Sequence, residues 1–244
     1  MLKKIVKAVL PKIVKEKFRY FRNTYLDGYA TKSYSQEGED LILKRIFEYK
    51  KKGFYVDVGA HHPKRFSNTY HFYKKGWNGI NIDAMPGSMK LFNKLRPRDI
   101  NIENPISDKI ETLTYYAFNE PALNGFSKEI SQERDGQGNY FIKFTKDIQT
   151  LTLAEVLNKN LSEHQKIDFL SIDVEGLDFI VLKSHDFEKY RPKVILIEIL
   201  KSRLTDIFDN EIVKFLYTKN YLVYAKSVNT VFFICENFYK ERYL

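Results

Sequence analysis

Short apolar runs alternate with amphipathic segments along most of the chain from Tyr34 onward. Runs rich in β-branched and aromatic residues predict strands, and apolar residues spaced three and four positions apart predict helices. We expect strands at 54–58, 79–83, 100–102, 168–172, 194–197, 221–224 and 231–234. We expect helices at 38–50, 67–75, 87–95, 153–159, 177–184 and 209–218. Helices that separate strands predict an α/β fold with a mostly parallel, Rossmann-like sheet covered on both faces.

The last two strands depart from this alternation, because only about six residues separate them. A parallel connection needs a dozen residues or more, so this pair must form an antiparallel hairpin at the C-terminal end of the sheet. Residues 104–150 also break the rhythm, with β-rich pieces at 112–116 and 140–144 and a polar loop from Ser131 to Asn139. Such an insertion either builds a lid or acceptor site or is a passive surface excursion.

The N-terminal segment, residues 1–22, carries eight lysines and arginines against one glutamate, and so holds +7 of the net charge of +9. The rest of the chain is nearly balanced, which argues against a general nucleic-acid surface. Apolar residues recur in the segment at helical spacing, although Pro11 interrupts the pattern, so one kinked helix or two short helices are predicted. Such a basic amphipathic helix binds an anionic membrane or packs on its own domain or a partner chain.

These patterns predict two parts, a basic helical segment at 1–32 and an α/β domain at 33–244 with its insertion at about 104–150. The single cysteine, Cys235, excludes an internal disulfide and a cysteine-based zinc site. No apolar stretch approaches the roughly 20 residues that span a bilayer. We therefore expect a cytoplasmic protein, which membrane binding by residues 1–22 would place at the inner membrane face.

Glycine and acidic residues stand where predicted strands end. Val56-Asp57-Val58-Gly59-Ala60 closes the first strand, and ligands of open α/β sheets bind at such carboxyl ends. The later glycines of a dinucleotide-binding G-x-G-x-x-G are absent, which argues against NAD. Asp83 ends the next strand, where a carboxylate can accept both hydrogens of a ribose diol or can simply begin a turn.

Three further acids, Asp173, Glu175 and Glu198, follow two later strands and are expected on the same rim. Unpaired carboxylates in that position repel one another, which favours a functional reason for them. They provide a general base or, with Asp173 and Glu198 as candidate ligands, a site for magnesium or manganese. His61 and His62 are further candidates for a base or a metal ligand, or are loop histidines that hydrogen-bond to backbone.

The order of these motifs resembles the FkbM-type methyltransferases over about residues 33–200. The matching segments are YSQEGED (34–40), VDVGA (56–60), SNTYHFYKKGWNGINID (67–83), ISD (106–108), DFLSIDVEGLDFIVLKSHD (168–186) and PKVILIEI (192–199). The resemblance implies a class I methyltransferase fold, S-adenosylmethionine as the methyl donor, and O-methylation, often of saccharide or polyketide hydroxyls. His61-His62-Pro63 departs from the pattern, since many relatives carry a glycine after this loop.

The resemblance also assigns roles to single residues. It places Asp57 and Gly59 in the donor loop, Asp83 at the ribose, and Ser107 and Asp108 beside the adenine. It further implies that Gln36 closes over the methionine end of the donor, and that Asp173 and Glu175 face the reaction centre. His61 lies in the loop that departs from the family pattern, and it is the other candidate catalytic residue because an imidazole can act as a base.

Three functions follow, and the oligomeric state stays open. The leading hypothesis is an S-adenosylmethionine-dependent O-methyltransferase that acts on a sugar hydroxyl in surface polysaccharide or glycan biosynthesis. A second hypothesis is methylation of RNA or of a small metabolite. The near-neutral charge of the protein outside residues 1–22 argues against RNA. The third is a peripheral membrane or scaffold protein that keeps a methyltransferase-like fold without catalysis.

Overall fold

The computed structural model describes residues 11–174 and 176–244, and a seven-stranded sheet forms their centre. Two further strands, β4 and β5, form a separate antiparallel pair. The strands are β1 (Phe54–Val58), β2 (Asn78–Asp83), β3 (Ile100–Glu103), β4 (Thr112–Phe118), β5 (Ile142–Gln149), β6 (Phe169–Ile172), β7 (Val194–Glu198), β8 (Tyr221–Lys226) and β9 (Thr230–Cys235).

The order across the main sheet is β3-β2-β1-β6-β7-β9-β8. Neighbours from β3 to β7 pair in parallel, whereas β9 runs antiparallel to both β7 and β8. The predicted fold class, a mostly parallel Rossmann-like sheet that ends in an antiparallel hairpin, is therefore confirmed. Because the chain leaves β1 toward β2 and later returns through β6 on the other side, a topological switch point lies between β1 and β6.

Helices cover both faces of the sheet. Within the described residues they are α1 (Lys12–Tyr25), α2 (Glu39–Ile46), α3 (Tyr70–Lys74), α4 (Met89–Leu95), α5 (Lys128–Arg134), α6 (Leu153–Asn160), α7 (Asp178–Lys183), α8 (Glu211–Thr218) and α9 (Glu236–Tyr243). One buried cluster joins Val56 and Val58 to α6, α7 and α8, and a second joins Tyr55 to α2, α3 and aromatic residues such as Trp77. This division follows from the alternation of side chains along each strand.

The structure corrects one local expectation from the sequence and adds one helix that the sequence did not predict. The segment from Ser131 to Asn139 is not wholly a loop, because α5 occupies Lys128–Arg134. Ser127 begins this helix, since its hydroxyl accepts a hydrogen bond from the N–H of Ile130 and so satisfies one free amide of the first turn. The pattern also gave no sign of α9, which has no buried residue and therefore no continuous apolar stripe.

The chain divides into two compact units, Met1–Ser33 and Tyr34–Leu244. In the first unit the structure describes residues 11–33, where α1 follows Pro11 directly and has no buried residue. Residues 1–10, which belong to the predicted N-terminal helical segment, lie outside the described residues. None of the helices that the structure describes combines the length and apolar character needed to cross a bilayer.

Candidate functional site

A cavity of about 270 Å³ opens at the carboxyl edge of the parallel strands, at the switch point between β1 and β6. Ligands of open α/β sheets bind at this position, because the connections that leave the two strands diverge and leave a crevice. The floor of the cavity consists of strand-end residues: Val58 and Gly59 from β1, Asp83 from β2, Asn104 after β3 and Asp173 after β6. Four separate segments of the chain therefore meet at one site.

Gly59 is required by the packing of the two central strands. Its φ of +82° lies in the left-handed region, and a Cβ added there would lie 1.7 Å from the carbonyl oxygen of Asp173. The N–H of Asp173 in turn donates to the carbonyl oxygen of Val58 (3.0 Å). The resemblance places this glycine in the donor loop, and the structure shows that it makes room for the backbone that follows β6.

Asp83 is held in a fixed orientation by the loops that follow β1 and β2. Its Oδ2 accepts the N–H of His61 (2.8 Å) and its Oδ1 accepts the N–H of Met85 (2.8 Å). Burial raises the pKa of this carboxyl above its usual value, although the two backbone donors act in the opposite direction. Each carboxylate oxygen can accept a second hydrogen bond, so Asp83 can bind two more donors from the cavity.

The two neighbouring histidines have different positions. His61 lines the cavity with its ring stacked on Phe66 (centroids 6.4 Å apart), and both residues have left-handed backbones, with φ of 50° and 53°. His62 turns away, because its Nδ1 accepts the N–H groups of Lys64 and Arg65 (3.1 and 3.0 Å). Strained non-glycine backbone is characteristic of functional sites, and here it surrounds the histidine that faces the cavity.

The predicted acidic rim is only partly assembled around the cavity. Asp173 lines it, whereas Glu198 ends β7 and does not belong to the lining. Glu175 lies outside the described residues. Within 11–174 and 176–244 no three histidine, cysteine, aspartate or glutamate side chains come close enough to hold a metal ion. The metal role of Asp173 and Glu198 therefore gains no support from the structure.

Gln36 and Asp57 take different places relative to the cavity. Gln36 lines it, as a residue that closes over a bound donor must. The Asp57 side chain is buried on the other face of β1, where it accepts a hydrogen bond from the Thr69 hydroxyl (2.8 Å). Burial raises the pKa of Asp57 to about 6, and the positive charge of Arg96 acts against this rise. The Asp57 side chain is therefore not placed to contact a methyl donor in the cavity directly.

Ser107 and Asp108, predicted to flank the adenine, lie beside the cavity and not in its lining. Ser107 is buried and its hydroxyl donates to a Glu111 carboxylate oxygen (3.1 Å), while Asp108 is exposed. Their neighbours Asn104 and Ile106 line the cavity instead. Asn104 directly follows the last residue of β3. The rule that ligands bind at the carboxyl ends of strands, which indicated Asp83, therefore applied equally to Asn104.

Residues of the long excursion between β3 and α6 form another wall of the cavity. They are Tyr115, Pro121, Asn124, Gly125 and Phe126. Sequence reasoning named the excursion as a possible acceptor site without naming any of these residues. No local pattern distinguishes them, because they reach the cavity through the tertiary fold of the β4–β5 hairpin and the segment that follows β4.

Comparison with known proteins adds three findings. A family model described as the methyltransferase FkbM domain matches residues 57–223. The chain is similar to a crystal structure of a Pyrococcus horikoshii protein assigned as an RNA methyltransferase, with 12% identity, coverage of 82% of this chain and 83% of that chain, and a TM-score of 0.41. At that level of similarity the comparison says nothing about what this chain binds. No curated protein matches the chain.

Proposed function

This chain belongs to the FkbM methyltransferase family, and from that premise we propose that it transfers a methyl group from S-adenosylmethionine to a sugar hydroxyl in surface polysaccharide or glycan biosynthesis. The observation that carries the proposal is the cavity at the switch point, which Asp83, His61 and Asp173 line together. A carboxylate suited to a ribose and two candidate bases line the cavity together, at the place where open α/β sheets generally bind ligands.

The lining of the cavity suits the donor. Ile106 and Phe126 supply apolar surface for a flat adenine ring, and the oriented carboxylate of Asp83 supplies acceptors for two hydroxyl groups. Gln36 adds an amide that both donates and accepts hydrogen bonds, as the charged methionine end of the donor requires. Affinity for the donor therefore has an apolar and a polar component within one cavity.

The reaction requires a base close to the acceptor oxygen. When bound, S-adenosylmethionine supplies an electrophilic methyl group, whose bond to sulfur breaks as the bond to the acceptor oxygen forms. The hydroxyl proton passes to a side chain, and His61 and Asp173 are the described titratable residues of the lining besides Asp83 that can take it. Stacking on Phe66 and the backbone bond from His61 to Asp83 hold that imidazole at the cavity.

The rim of the cavity supports a sugar as the acceptor. Phe66 is 43% exposed and lies beside His61, so two flat rings are presented together at the opening. The guanidinium group of Arg65 lies 4.4 Å from the centre of the Phe66 ring. A phenyl ring beside an imidazole and a hydrogen-bonding cation suits a molecule with apolar C–H faces and polar edges, which describes a saccharide.

The direct test is transfer of a radiolabelled methyl group from S-adenosylmethionine. We expect incorporation into sugar nucleotides or lipid-linked glycan and none into bulk RNA. Label that appears in RNA alone would replace the sugar proposal by RNA methylation. A protein that binds S-adenosylhomocysteine but labels none of these substrates would limit the proposal to the donor half of the site.

The base is tested by comparing two histidine variants. His61→Ala should lower the transfer rate by at least a hundredfold, as loss of a general base does, whereas His164→Ala, at an exposed position, should have no effect. An imidazole base predicts an inflection in the rate between pH 5 and 8, and a carboxylate base predicts one at lower pH. Activity that is lost in chelator and restored by magnesium or manganese would instead require a metal-assisted mechanism.

We also propose that the N-terminal segment attaches the protein to the inner face of an anionic membrane. In α1, the apolar residues Val14, Phe18, Phe21 and Tyr25 recur at helical spacing and are all exposed. The basic residues Lys12, Lys15, Arg19 and Arg22 form a second row, and Glu16 is the only acid of the helix. A partly apolar, strongly basic helix is complementary to a surface that is apolar below and negatively charged above.

Membrane attachment is tested in the full-length chain by charge reversal. Lys15→Glu with Arg19→Glu should weaken sedimentation with phosphatidylserine-containing vesicles at least tenfold, since each basic residue contributes about 1 kcal/mol. The matched control is Lys51→Glu with Lys52→Glu, which changes the net charge equally at two exposed positions outside α1. An equal loss of vesicle binding in both variants would show that net charge alone, and not α1, causes the effect. A change of oligomeric state in the α1 variant would show that α1 packs against protein instead.

A further inference from the structure

The excursion contributes a rigid wall to the cavity. Gly125 folds back onto β4, where its N–H donates to the carbonyl oxygen of Tyr116 (3.2 Å) and its own carbonyl oxygen accepts the N–H of Tyr116 (2.9 Å). The Asn124 side chain is held from both ends, because its Oδ1 accepts the N–H of Phe118 (2.7 Å) and its amide nitrogen donates to the sulfur of Met85 (3.4 Å). The wall is therefore tied to itself and to the loop after β2.

One polar group in this wall has no hydrogen-bond partner among the residues that the structure describes. Tyr115 is only 2% exposed, yet among the described residues its hydroxyl makes no hydrogen bond, although the Asn124 side chain lies near it. The ring is packed against Phe126, with centroids 5.2 Å apart. Buried hydroxyl groups are nearly always hydrogen-bonded, so an enclosed hydroxyl without a partner beside a cavity requires an explanation.

The residue with the unpaired hydroxyl lines the same cavity as Asp83, the carboxylate proposed to bind the ribose. Tyr115 and Asp83 line the same cavity, and they are close enough for the Asp83 charge to act on the tyrosine, whose pKa is raised chiefly by burial. Asp83 can accept two hydrogen bonds from the cavity, and Tyr115 can donate one. A vicinal diol complements this set, because its two hydroxyl groups donate two protons and its oxygens also accept.

We propose that Tyr115 is the second half of the ribose site: its hydroxyl donates to a ribose oxygen whose own hydrogen is donated to Asp83. The inference rests on the proposed donor, and it adds that the excursion, and not only the strand ends, recognises the ribose. A tyrosine needed only for packing is equally well replaced by phenylalanine. A tyrosine that binds ribose loses affinity on that replacement while the free protein does not lose stability.

The test is Tyr115→Phe, with Tyr116→Phe as the matched control on the same strand. Tyr116 is half-buried, does not line the cavity, and makes its bonds to Gly125 through backbone that the substitution keeps. We expect S-adenosylhomocysteine to bind Tyr115→Phe about tenfold more weakly by calorimetry, and Tyr116→Phe to bind it like the natural protein. The melting temperature of ligand-free Tyr115→Phe should stay unchanged or rise, because an unpaired buried donor is removed.

The ligand supplies the second arm of the test. Of the 2′-deoxy and 3′-deoxy analogues of S-adenosylhomocysteine, the one that lacks the partner of Tyr115 should bind Tyr115→Phe and the natural protein equally. Full affinity of Tyr115→Phe for S-adenosylhomocysteine, or an equal loss in Tyr116→Phe, overturns the assignment of Tyr115 and leaves the proposed function intact. Failure of the natural protein to bind S-adenosylhomocysteine overturns the proposed function and this inference together.

Discussion

The two faces of the central sheet carry different kinds of side chain. On the face of Val56, Val58 and Leu170, aliphatic side chains pack against α6, α7 and α8. On the face of Tyr55 and Asp57, aromatic residues share the interior with a network of buried charges. The first face is held by non-directional apolar contact, whereas the second also depends on hydrogen bonds that have a single geometry.

The network on the second face is centred on Arg96, which is 0% exposed. Its Nε donates to Asp99 (2.8 Å), and one terminal nitrogen donates to the hydroxyls of Tyr55 (2.9 Å) and Thr69 (3.0 Å). The Thr69 hydroxyl in turn donates a hydrogen bond to the Asp57 carboxylate (2.8 Å). The network thus reaches from α4 to the strand residue that precedes the cavity.

This difference explains how the loop that follows β1 is held. Residues 59–69 leave β1 at Gly59, carry His61 and Phe66 past the cavity, and return at Thr69 to the network. A second bond fastens the same return, because the Asn68 side chain donates to the Ser171 hydroxyl on β6 (3.1 Å). We infer that the apolar face supplies general stability, whereas the charged face sets the shape of the loop around the cavity.

The largest expected effect comes from removing the centre of the network. Arg96→Met keeps an unbranched apolar side chain but leaves Asp99 buried without its cation, which should lower the free energy of unfolding by about 3–5 kcal/mol in urea titrations. Adding Asp99→Asn should restore part of the loss, since the uncompensated charge is then removed. A loss below about 1 kcal/mol for Arg96→Met would mean that the two faces do not differ in this way.

A smaller effect is expected from pH. Because the pKa of Asp57 is raised to about 6 in the folded protein, its protonated form favours folding below its unfolded value near pH 4. That contribution is lost as pH rises from about 4 through 6, and a shift of about two units corresponds to about 2–3 kcal/mol. Unfolding of the natural protein and of Asp57→Asn, compared from pH 4 to 7.5, should therefore diverge by this amount in favour of the variant. Parallel pH curves would show that Asp57 titrates normally.

The smallest effect is expected from a similar-volume change on the apolar face. Leu157→Met in α6, at a fully buried position, should cost less than about 1.5 kcal/mol, because a flexible apolar side chain of similar volume refills the space. Leu157→Ala, which leaves a cavity at the same place, should cost about 2–5 kcal/mol and serves as the comparison. A cost for Leu157→Met as large as that for Arg96→Met would show that both faces need one specific geometry.

The fold was largely predictable because its signals are local. Short apolar runs located the seven strands of the main sheet, and the brief connection between β8 and β9 required their antiparallel pairing. Strand ends also pointed to Gly59, Asp83 and Asp173, since the carboxyl edge of a parallel sheet is a single place in space. Even there the sequence did not indicate that Gly59 accommodates the backbone of Asp173.

The remaining features depend on contacts between distant segments. Arg96 lies in Lys94-Leu95-Arg96-Pro97-Arg98, a charged stretch that predicts a surface helix end, and its burial depends on Tyr55 and Thr69 far earlier in the chain. The sequence around Tyr115 likewise does not distinguish it, because Asp83, which lines the same cavity, belongs to a strand of the other sheet. A sequence pattern reports which face of an element is apolar, but it does not report which polar partner that face meets.

Hydrogen bonds join the two ends of the excursion between β3 and α6. Ile106 and Leu151 form an isolated parallel bridge, with the N–H of Ser107 donating to the Leu151 carbonyl oxygen (2.9 Å) and the N–H of Leu151 donating to that of Pro105 (3.1 Å). The two ends therefore stay together independently of what lies between them, and doubling the intervening length costs only about 0.6 kcal/mol of loop-closure entropy. The segment is thus a natural unit for transplantation: a hairpin of another size or sequence can be exchanged at this junction, redesigning one side of the pocket without rethreading the sheet.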